Sequence, residues 1–216
     1  MRISAIVPAY NEAERIGAVL DALQRAEHVD QLIVVDDGST DGTAGIVRES
    51  NVEVELIRLK KNTGKANALA RGVEKAANST LLFVDADLIG LEFGHIEKMA
   101  RTYDRGNWDM VIGVFHKGRL NTDISQKISP HLSGQRIITV DIWNKLDRSK
   151  AEEFGVEMAL TKLALAEDLS RTKVKLTGVT HVMKEEKRGF AAGLKSRLKM
   201  YGNIIRTTLT PTKFDN

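Results

Sequence analysis

The stretch LIVVDDGSTDGT, residues 32–43, decides the fold. Its first four residues are all apolar, which is typical of a strand buried on both faces of a sheet. The polar cluster Asp36-Asp37-Gly38-Ser39 then ends the strand, and a helical pattern follows over 41–49. Strand, polar turn and helix in this order form the repeating unit of a parallel sheet covered by helices.

The same unit recurs on both sides of this stretch. Strand-like runs alternate with helical periodicity as RISAIVP then 12–26, VEVELIRL then 65–77, and TLLFVD then 92–103. VEVEL alternates between apolar and charged residues, which favours an edge strand. We therefore predict an α/β fold with a mostly parallel, Rossmann-like sheet and helices on both of its faces.

The rhythm changes after residue 105. WDMVIGVF predicts another strand, and a polar stretch with Pro130 follows it. We then expect the segment IITVDIWNKL, one helix over EEFGVEMALTKLALAED, the strand KVKLTGVTHVM and a final helix. Because no linker or repeat interrupts the chain, we predict a single domain over 1–216, with a first half over 1–104, a second half over 105–189 and a C-terminal helix and tail over 190–216.

Composition excludes several classes of protein. The 216 residues include no cysteine, so disulfides, thiolate metal sites and a cysteine nucleophile are excluded. Pro8 interrupts the first apolar run too early for a signal peptide, and no run approaches the roughly 20 apolar residues that span a bilayer. These features predict a soluble or peripheral protein in the cytoplasm.

Three polar clusters follow predicted strands: Tyr10-Asn11-Glu12, Asp36-Asp37-Gly38-Ser39 and Asp85-Ala86-Asp87. In open α/β sheets the carboxyl ends of the strands form the ligand crevice, so we expect the clusters to meet there. Asp85 and Asp87 repel each other unless a positive charge lies nearby. Their hard oxygen ligands suit Mg²⁺ or Mn²⁺, which could bridge to a diphosphate. Turn formation or helix capping would explain the aspartates equally simply.

Four motifs in order resemble the nucleotide-sugar glycosyltransferases of the GT-A type, in family 2. They are AIVPAYNEAERIGAVLDAL, LIVVDDGSTDGT, NTGKANALARGVEKA and LLFVDADL, and the resemblance covers residues 3–90. It extends to dolichyl-phosphate mannose synthases and glucosyl-3-phosphoglycerate synthases, and implies metal-dependent sugar transfer. By this resemblance the nucleotide contacts are Pro8, Ala9, Tyr10, Asn11 and Glu12, with Asp36 accepting a hydrogen bond from the base.

The resemblance also implies how the diphosphate and the metal are held. Lys65, at a predicted helix start, would meet phosphate together with nearby backbone N–H groups. Asp85 would lie near the ribose or sugar, and Asp87 would bind the metal, which stabilises the departing nucleoside diphosphate. His181 is similar in position to a histidine that completes the metal site in the phosphoglycerate branch, although a lone histidine is more often structural.

The second half resembles the phosphoglycerate-glucosylating enzymes through HKGRLNTDISQKISPHLSGQRIIT and FGVEMAL. This implies acceptor contacts at Gly118, Arg119 and Thr122, and sugar contacts at Gly134, Gln135 and Glu157. Met158 follows Glu157 where inverting enzymes usually have an aspartate that acts as the base. Either Glu157 is the base, or the enzyme retains the anomeric configuration, which the resemblance favours.

The leading hypothesis is transfer of glucose or mannose from a UDP- or GDP-sugar to a small phosphorylated or polyol acceptor, such as a phosphoglycerate. In an alternative, the acceptor is a polyprenyl phosphate, and the basic segment 184–206, with seven Lys or Arg and two Glu, lies on anionic lipid at the cytoplasmic face of the membrane. The apolar stripe of the final helix instead suits packing on the core or in a homodimer. A non-catalytic nucleotide-binding module is a third hypothesis. A nucleotidyltransferase is disfavoured because the Gly-rich phosphate loop typical of that class does not follow the first predicted strand. No nucleic-acid partner is expected.

Overall fold

A computed structural model describes residues 1–116 and 133–181. Residues 1–181 form one compact unit, and the other unit, 182–216, lies outside the described residues. The strands of the described residues are β1 (Ile3–Ala9), β2 (Val29–Asp36), β3 (Glu55–Arg58), β4 (Thr80–Phe83), β5 (Leu88–Ile89), β6 (Met110–His116), β7 (Arg136–Thr139), β8 (Arg171–Thr177) and β9 (Thr180–His181). The helices are α1 (Ile16–Gln24), α2 (Thr43–Glu49), α3 (Lys65–Val73), α4 (Phe93–Gly106), α5 (Val140–Asn144), α6 (Arg148–Phe154) and α7 (Val156–Ala166).

Seven strands form one mixed sheet in the order β3-β2-β1-β4-β7-β6-β8. β3, β2, β1 and β4 are parallel, β7 runs antiparallel to both of its neighbours, and β6 and β8 are parallel again. The predicted α/β class is confirmed, and β3 lies at the edge, as its alternating sequence indicates. A separate pair, β5 and β9, is antiparallel, with Leu88 opposite His181.

The core is divided by the sheet into two apolar layers. One layer packs α1, α2 and α4 against the sheet through residues such as Leu20, Val47 and Met99. The other packs α3, α5 and α7 through residues such as Leu69, Trp143 and Leu160. Apolar side chains on both faces explain why β1, β2 and β4 read as nearly continuous apolar runs.

The helix expected over EEFGVEMALTKLALAED is interrupted in the structure. Gly155 has a φ of +89°, ends α6 and precedes the first residue of α7. A residue with a Cβ rarely adopts that φ, so the glycine breaks the helix and redirects the chain. The prediction of one continuous helix was wrong there, and the break makes Glu157 the second residue of a new helix.

The strand ends converge at one edge of the sheet. Ala9 pairs with Asp36 and Asp36 pairs with Arg58, so β1, β2 and β3 end level with one another. Asp85 follows β4, which is the other neighbour of β1.

No helix in the described ranges is long and apolar enough to cross a membrane.

Candidate functional site

Lys65 lies at the centre of a cluster of charges at the sheet edge. It is the first residue of α3, and its Nζ contacts Asp85 Oδ1, after β4, and Glu157 Oε1, at the start of α7. Three segments distant in sequence therefore meet at one ammonium group. The Lys65 side chain is 34% exposed, so the cluster is open to solvent on one side.

The charges in this cluster stabilise one another against burial. Burial alone would lower the pKa of Lys65, but the contacts with Asp85 and Glu157 outweigh it and raise that pKa. Burial would likewise raise the pKa of Glu157, but Lys65 lowers it to about 2. Lys65 and Glu157 are therefore both charged at neutral pH, and Glu157 is a weak base in this arrangement.

Gly134 and Gln135 complete the cluster beside Asp85. Gln135 is buried, and its Nε2 donates to Asp85 Oδ2 at 2.9 Å. A Cβ on Gly134 would overlap Asp85 Oδ2 and come within 2.7 Å of Lys65 Nζ. The position thus admits only glycine if Asp85 and Lys65 keep their places, and the structure brings together Lys65, Asp85, Glu157 and the Gly134-Gln135 pair.

Arg136 is a component of the site that the sequence analysis missed. It is the first residue of β7 and is 1% exposed. Its Nε donates to Ser133 O at 3.0 Å and its Nη2 to Thr161 Oγ1 at 3.0 Å. Thr161 in turn donates to the carbonyl of Glu157 at 2.8 Å. Burial lowers the pKa of Arg136 to about 10, against the opposing effect of Glu157, so the guanidinium is charged at neutral pH.

Asp37 fixes the loop that leads into Lys65. It is 3% exposed; its Oδ1 accepts from the N–H and the hydroxyl of Thr63, each at 2.8 Å, and its Oδ2 accepts from Gly64 N–H at 2.8 Å. Gly38 packs directly on this loop, because a Cβ there would lie 2.6 Å from the Lys61 carbonyl carbon. Asp37 belongs to a polar cluster that was expected at the ligand crevice, and the structure shows that it anchors the start of α3.

Asp36 is fully buried at the end of β2. Its Oδ1 accepts from Ser39 N–H at 2.9 Å, as a turn-forming aspartate does. Its Oδ2 accepts no hydrogen bond from the described residues, although Arg58 Nε lies 3.3 Å away as an ion-pair partner.

A cavity of about 420 Å³ borders this position, between the Gly38–Thr40 turn and the end of β3. A larger groove, of about 640 Å³, lies along α4 and includes none of the candidate site residues.

The segment after β1 is interlocked with the turn after β2. Asn11, which has a φ of +56°, donates its N–H to Ser39 Oγ and accepts from Thr40 N–H, both at 2.9 Å. Glu12 N–H donates to Thr43 Oγ1 at 2.9 Å. Tyr10 is exposed at the rim, whereas Ala9 ends β1 as a buried residue and Pro8 is half-buried within it. These contacts give the segment from Pro8 to Glu12 a fixed shape beside Asp36.

Asp87 and His181 lie on neighbouring segments. Asp87 directly precedes β5, and His181 on β9 pairs with the next residue, Leu88. His181 is exposed, and its ring packs against that of Phe115 in a tilted arrangement with centroids 5.5 Å apart. No group of three or more His, Asp or Glu able to hold a metal occurs in the part of the chain that the structure describes. The Asp87 carboxylate is a hard oxygen ligand that suits Mg²⁺ or Mn²⁺, and the His181 imidazole could complete the site beside it together with a bound ligand or water.

Some predicted positions lie outside the described residues. They are the acceptor residues Gly118, Arg119 and Thr122, and the final helix expected to contact a membrane or a second subunit. Arg136, which was not predicted as a site residue, has one signal in the sequence: it is a charged residue at the start of the apolar run RIIT. Its burial depends on Ser133 and Thr161, which no local pattern connects.

Comparison with known proteins agrees with this geometry. A family model described as glycosyl transferase family 2 matches residues 4–169. A dolichyl-phosphate beta-glucosyltransferase from Dictyostelium discoideum is 32% identical over 127 residues, which cover 51% of this chain and 39% of that protein. A dodecaprenyl-phosphate galacturonate synthase from Rhizobium johnstonii is 24% identical over 189 residues, covering 84% of this chain and 52% of the relative. The chain thus spans about half the length, or less, of these curated relatives.

Solved structures share the fold. Glucosyl-3-phosphoglycerate synthase from Mycobacterium tuberculosis, crystallised with Mn²⁺, UDP and glucosyl-3-phosphoglycerate, superimposes with a TM-score of 0.72 at 21% identity, covering 98% of this chain and 81% of that one. The same enzyme with Mg²⁺ and UDP gives a TM-score of 0.71 at 22% identity, covering 97% and 78%. At this identity the likeness establishes the fold, and it confirms the predicted GT-A architecture.

Proposed function

This chain belongs to glycosyl transferase family 2, and we propose that it transfers a hexose, glucose or mannose, from a UDP- or GDP-sugar to a small phosphorylated or polyol acceptor, with Mg²⁺ or Mn²⁺ as cofactor. The observation that carries the proposal is the cluster of Lys65, Asp85 and Glu157 at the carboxyl edge of the sheet. Such a cluster offers a cation for a diphosphate and carboxylates for sugar hydroxyls, side by side.

The nucleoside part of the donor is assigned to the β1–β2 side of this edge. The buried Asp36 Oδ2, which accepts no hydrogen bond from the described residues, supports an acceptor role toward the ring N–H that uracil and guanine both carry. The rigid segment from Pro8 to Glu12 lines the same side. Because adenine and cytosine in nucleotides have no ring N–H, this arrangement favours UDP or GDP over ADP or CDP.

The diphosphate is assigned to Lys65 and the start of α3. Lys65 supplies a positive charge, and the first turn of a helix exposes N–H groups that also favour anions. Asp37 holds the preceding loop in place by three hydrogen bonds. Lys65 thereby binds the donor and neutralises charge that develops on the departing nucleoside diphosphate.

Asp87 and His181 are assigned to the metal, with the diphosphate supplying further ligands. When bound, the metal supplies Lewis-acid stabilisation of the leaving group. The support is the position of Asp87 immediately after the Asp85 site and the pairing of its strand with that of His181. Mn²⁺ and Mg²⁺ occur with UDP in the solved structures that share this fold.

The sugar is assigned to Asp85, Gln135 and Glu157, with Gly134 leaving the space between them. A carboxylate with a pKa of about 2 accepts hydrogen bonds from hydroxyl groups well but removes protons poorly. This supports the interpretation in which Glu157 orients the sugar rather than acting as the base. Retention of the anomeric configuration rests on the resemblance. Arg119 remains assigned to the acceptor on the resemblance alone.

A polyprenyl-phosphate acceptor is the second candidate. The observation that favours it is the match to a dolichyl-phosphate glucosyltransferase and, over 84% of this chain, to a dodecaprenyl-phosphate galacturonate synthase. Both acceptor classes present a phosphate group, so the same donor site serves either. Activity in the presence of each acceptor separates them.

The test combines each donor with each acceptor. UDP-glucose or GDP-mannose is incubated with Mn²⁺, the protein, and either 3-phosphoglycerate or a short polyprenyl phosphate, and mass spectrometry follows the acceptor and the released nucleotide. We expect a glycosylated acceptor and a nucleoside diphosphate from one pair, lost in Lys65→Met and kept in Lys98→Met, which changes an exposed lysine on α4. Release of pyrophosphate would indicate nucleotidyl transfer, and nucleotide binding with no transfer from any pair would indicate a non-catalytic module.

A further inference from the structure

Arg136 is a buried cation that the proposed donor contacts leave unused. It lies on β7 among core residues, and its Nη1 donates to Met110 Sδ at 3.4 Å. Enclosing a guanidinium in such surroundings costs free energy that a methionine or leucine would not. A role for its charge would account for it.

The contacts of Arg136 connect the two segments that complete the charge cluster. Through Ser133 O it holds the start of the turn that carries Gly134 and Gln135. Through Thr161 Oγ1, which donates to the Glu157 carbonyl, it holds the first turn of α7. A single guanidinium thus fixes both Gln135 and Glu157 relative to β7.

The balance of charge also depends on Arg136. Among the described residues, Lys65 contacts both Asp85 and Glu157, and Arg136 acts electrostatically on Glu157. A donor diphosphate that engages Lys65 draws its ammonium group away from Glu157. Glu157 then loses its contacting cation while it remains largely enclosed, which by itself would raise its pKa and favour the neutral acid.

We propose that Arg136 is a positioning residue that keeps Glu157 in place and ionised while Lys65 is engaged by the diphosphate. The inference rests on the proposed function, because it assumes that Lys65 binds a donor. Among the described residues, the charged groups that act on Glu157 are Lys65 from α3 and Arg136 from β7, and Asp85, after β4, shares Lys65 with it. The charged side chains of the preceding helix α6, namely Arg148, Lys150, Glu152 and Glu153, are exposed.

The test measures the pKa of Glu157 directly by carbon-13 NMR of labelled glutamate, with the signal assigned from its loss in Glu157→Gln. In the wild-type protein saturated with Mg²⁺ and UDP or GDP, we expect the pKa of Glu157 to stay below its usual value. In Arg136→Met we expect it to rise by about one unit or more with nucleotide, and by less without it, since Lys65 then remains in contact. Arg136→Lys, which keeps the charge, should restore most of the low pKa.

A second variant tests the inference without nucleotide and without altering the core. Lys65→Met removes the contacting cation permanently, and we expect Glu157 to remain ionised at pH 6 because Arg136 is still present. Protonation of Glu157 at that pH, in Lys65→Met or in the nucleotide-bound wild type, would overturn the inference. So would an equal pKa shift with and without nucleotide in Arg136→Met, because a purely structural role predicts no dependence on Lys65.

Nucleotide binding, measured separately by calorimetry, distinguishes the two levels of the argument. A wild-type protein that binds neither UDP nor GDP overturns the proposed function and the inference with it. A protein that binds one of them, but in which Glu157 becomes protonated on binding, overturns the role of Arg136 alone.

Discussion

Gly134 is the residue at which the cluster has least room. Its missing Cβ leaves space for Asp85 Oδ2 and Lys65 Nζ, so Gly134→Ala must displace one of them. We expect this variant to lower kcat/KM for the sugar donor about tenfold or more, since displacement of a group that positions substrate is costly. Gly45→Ala on α2 is the matched control, because a Cβ there meets nothing within 4 Å and should leave kcat/KM unchanged. Equal activity of both variants would contradict the crowded geometry.

Glu157 makes the stability of the protein depend on pH. The pKa of Glu157 is 4.5 in the unfolded chain and about 2 in the folded protein. Its contribution to the free energy of unfolding is therefore complete above pH 4.5 and is lost as the pH falls toward 2. We expect Glu157→Gln to lower the free energy of unfolding by about 2 kcal/mol at pH 7, a figure reduced for solvent around Lys65.

Urea unfolding from pH 7 to pH 2.5 checks this expectation, with the exposed Glu153→Gln as a control that should match the wild type at every pH. The difference between the wild type and Glu157→Gln should narrow below about pH 4.5. A difference that stays constant down to pH 2.5 would show that the pKa of Glu157 is not depressed.

Asp37 acts on Lys65 through the backbone. In Asp37→Asn one oxygen becomes an amide NH₂, which cannot accept the hydrogen bonds that the Thr63–Gly64 segment donates. We expect a loss of about 1–3 kcal/mol in the free energy of unfolding, together with weaker nucleotide binding. Asp30→Asn, at a partly exposed ion pair with Arg2, should change neither quantity measurably. Unchanged nucleotide affinity in Asp37→Asn would contradict the role of this loop in positioning Lys65 for the donor.

At the residue scale the sequence predicts the local positions better than their partners. Lys65 at a helix start and Asp85 after a strand follow from local patterns, and the structure has both. The contact of Lys65 with Glu157, 92 residues away along the chain, depends on how α7 packs, which no local pattern specifies. The burial of Arg136 escaped prediction for the same reason.

Gly155 is the decisive position at the scale of elements. With its φ of +89° it separates α6 from α7, and a Cβ there would also approach Glu157 Oε2 to 3.3 Å. We expect Gly155→Ala to lower the free energy of unfolding by about 1–2 kcal/mol, since left-handed backbone strains an alanine. Thermal unfolding beside the control Gly94→Ala, which has open space at its Cβ, checks this. A variant at least as stable as the wild type would mean that the break tolerates any residue.

The elements themselves were largely predictable because their signals are local. Apolar runs gave β1, β2 and β4, and alternation gave β3 at the sheet edge. Helix ends were less accurate: α3 ends at Val73 rather than at residue 77. The break at Gly155 was missed because an isolated glycine within a helical pattern is compatible with a continuous helix, and only the observed φ decides between the two.

For the whole molecule, the order of strands brings the site together. β1 lies between β2 and β4, so the polar residues that follow these strands share one edge, as expected for a parallel sheet. The place of β7 between β4 and β6 was not predictable from periodicity, because pairing depends on contacts distant in sequence. That placement delivers Gly134 and Gln135 to Asp85.

The central claim is that a divalent metal and a nucleoside diphosphate bind together beside Asp87. Calorimetric titration of UDP and of GDP, with and without Mn²⁺, tests it most directly in the wild type, in Asp87→Asn and in the exposed control Asp21→Asn. We predict that Mn²⁺ strengthens binding of one nucleotide about tenfold or more in the wild type and in Asp21→Asn, and that Asp87→Asn removes this gain. Equal affinity with and without Mn²⁺ in the wild type, or a full gain in Asp87→Asn, would contradict the account.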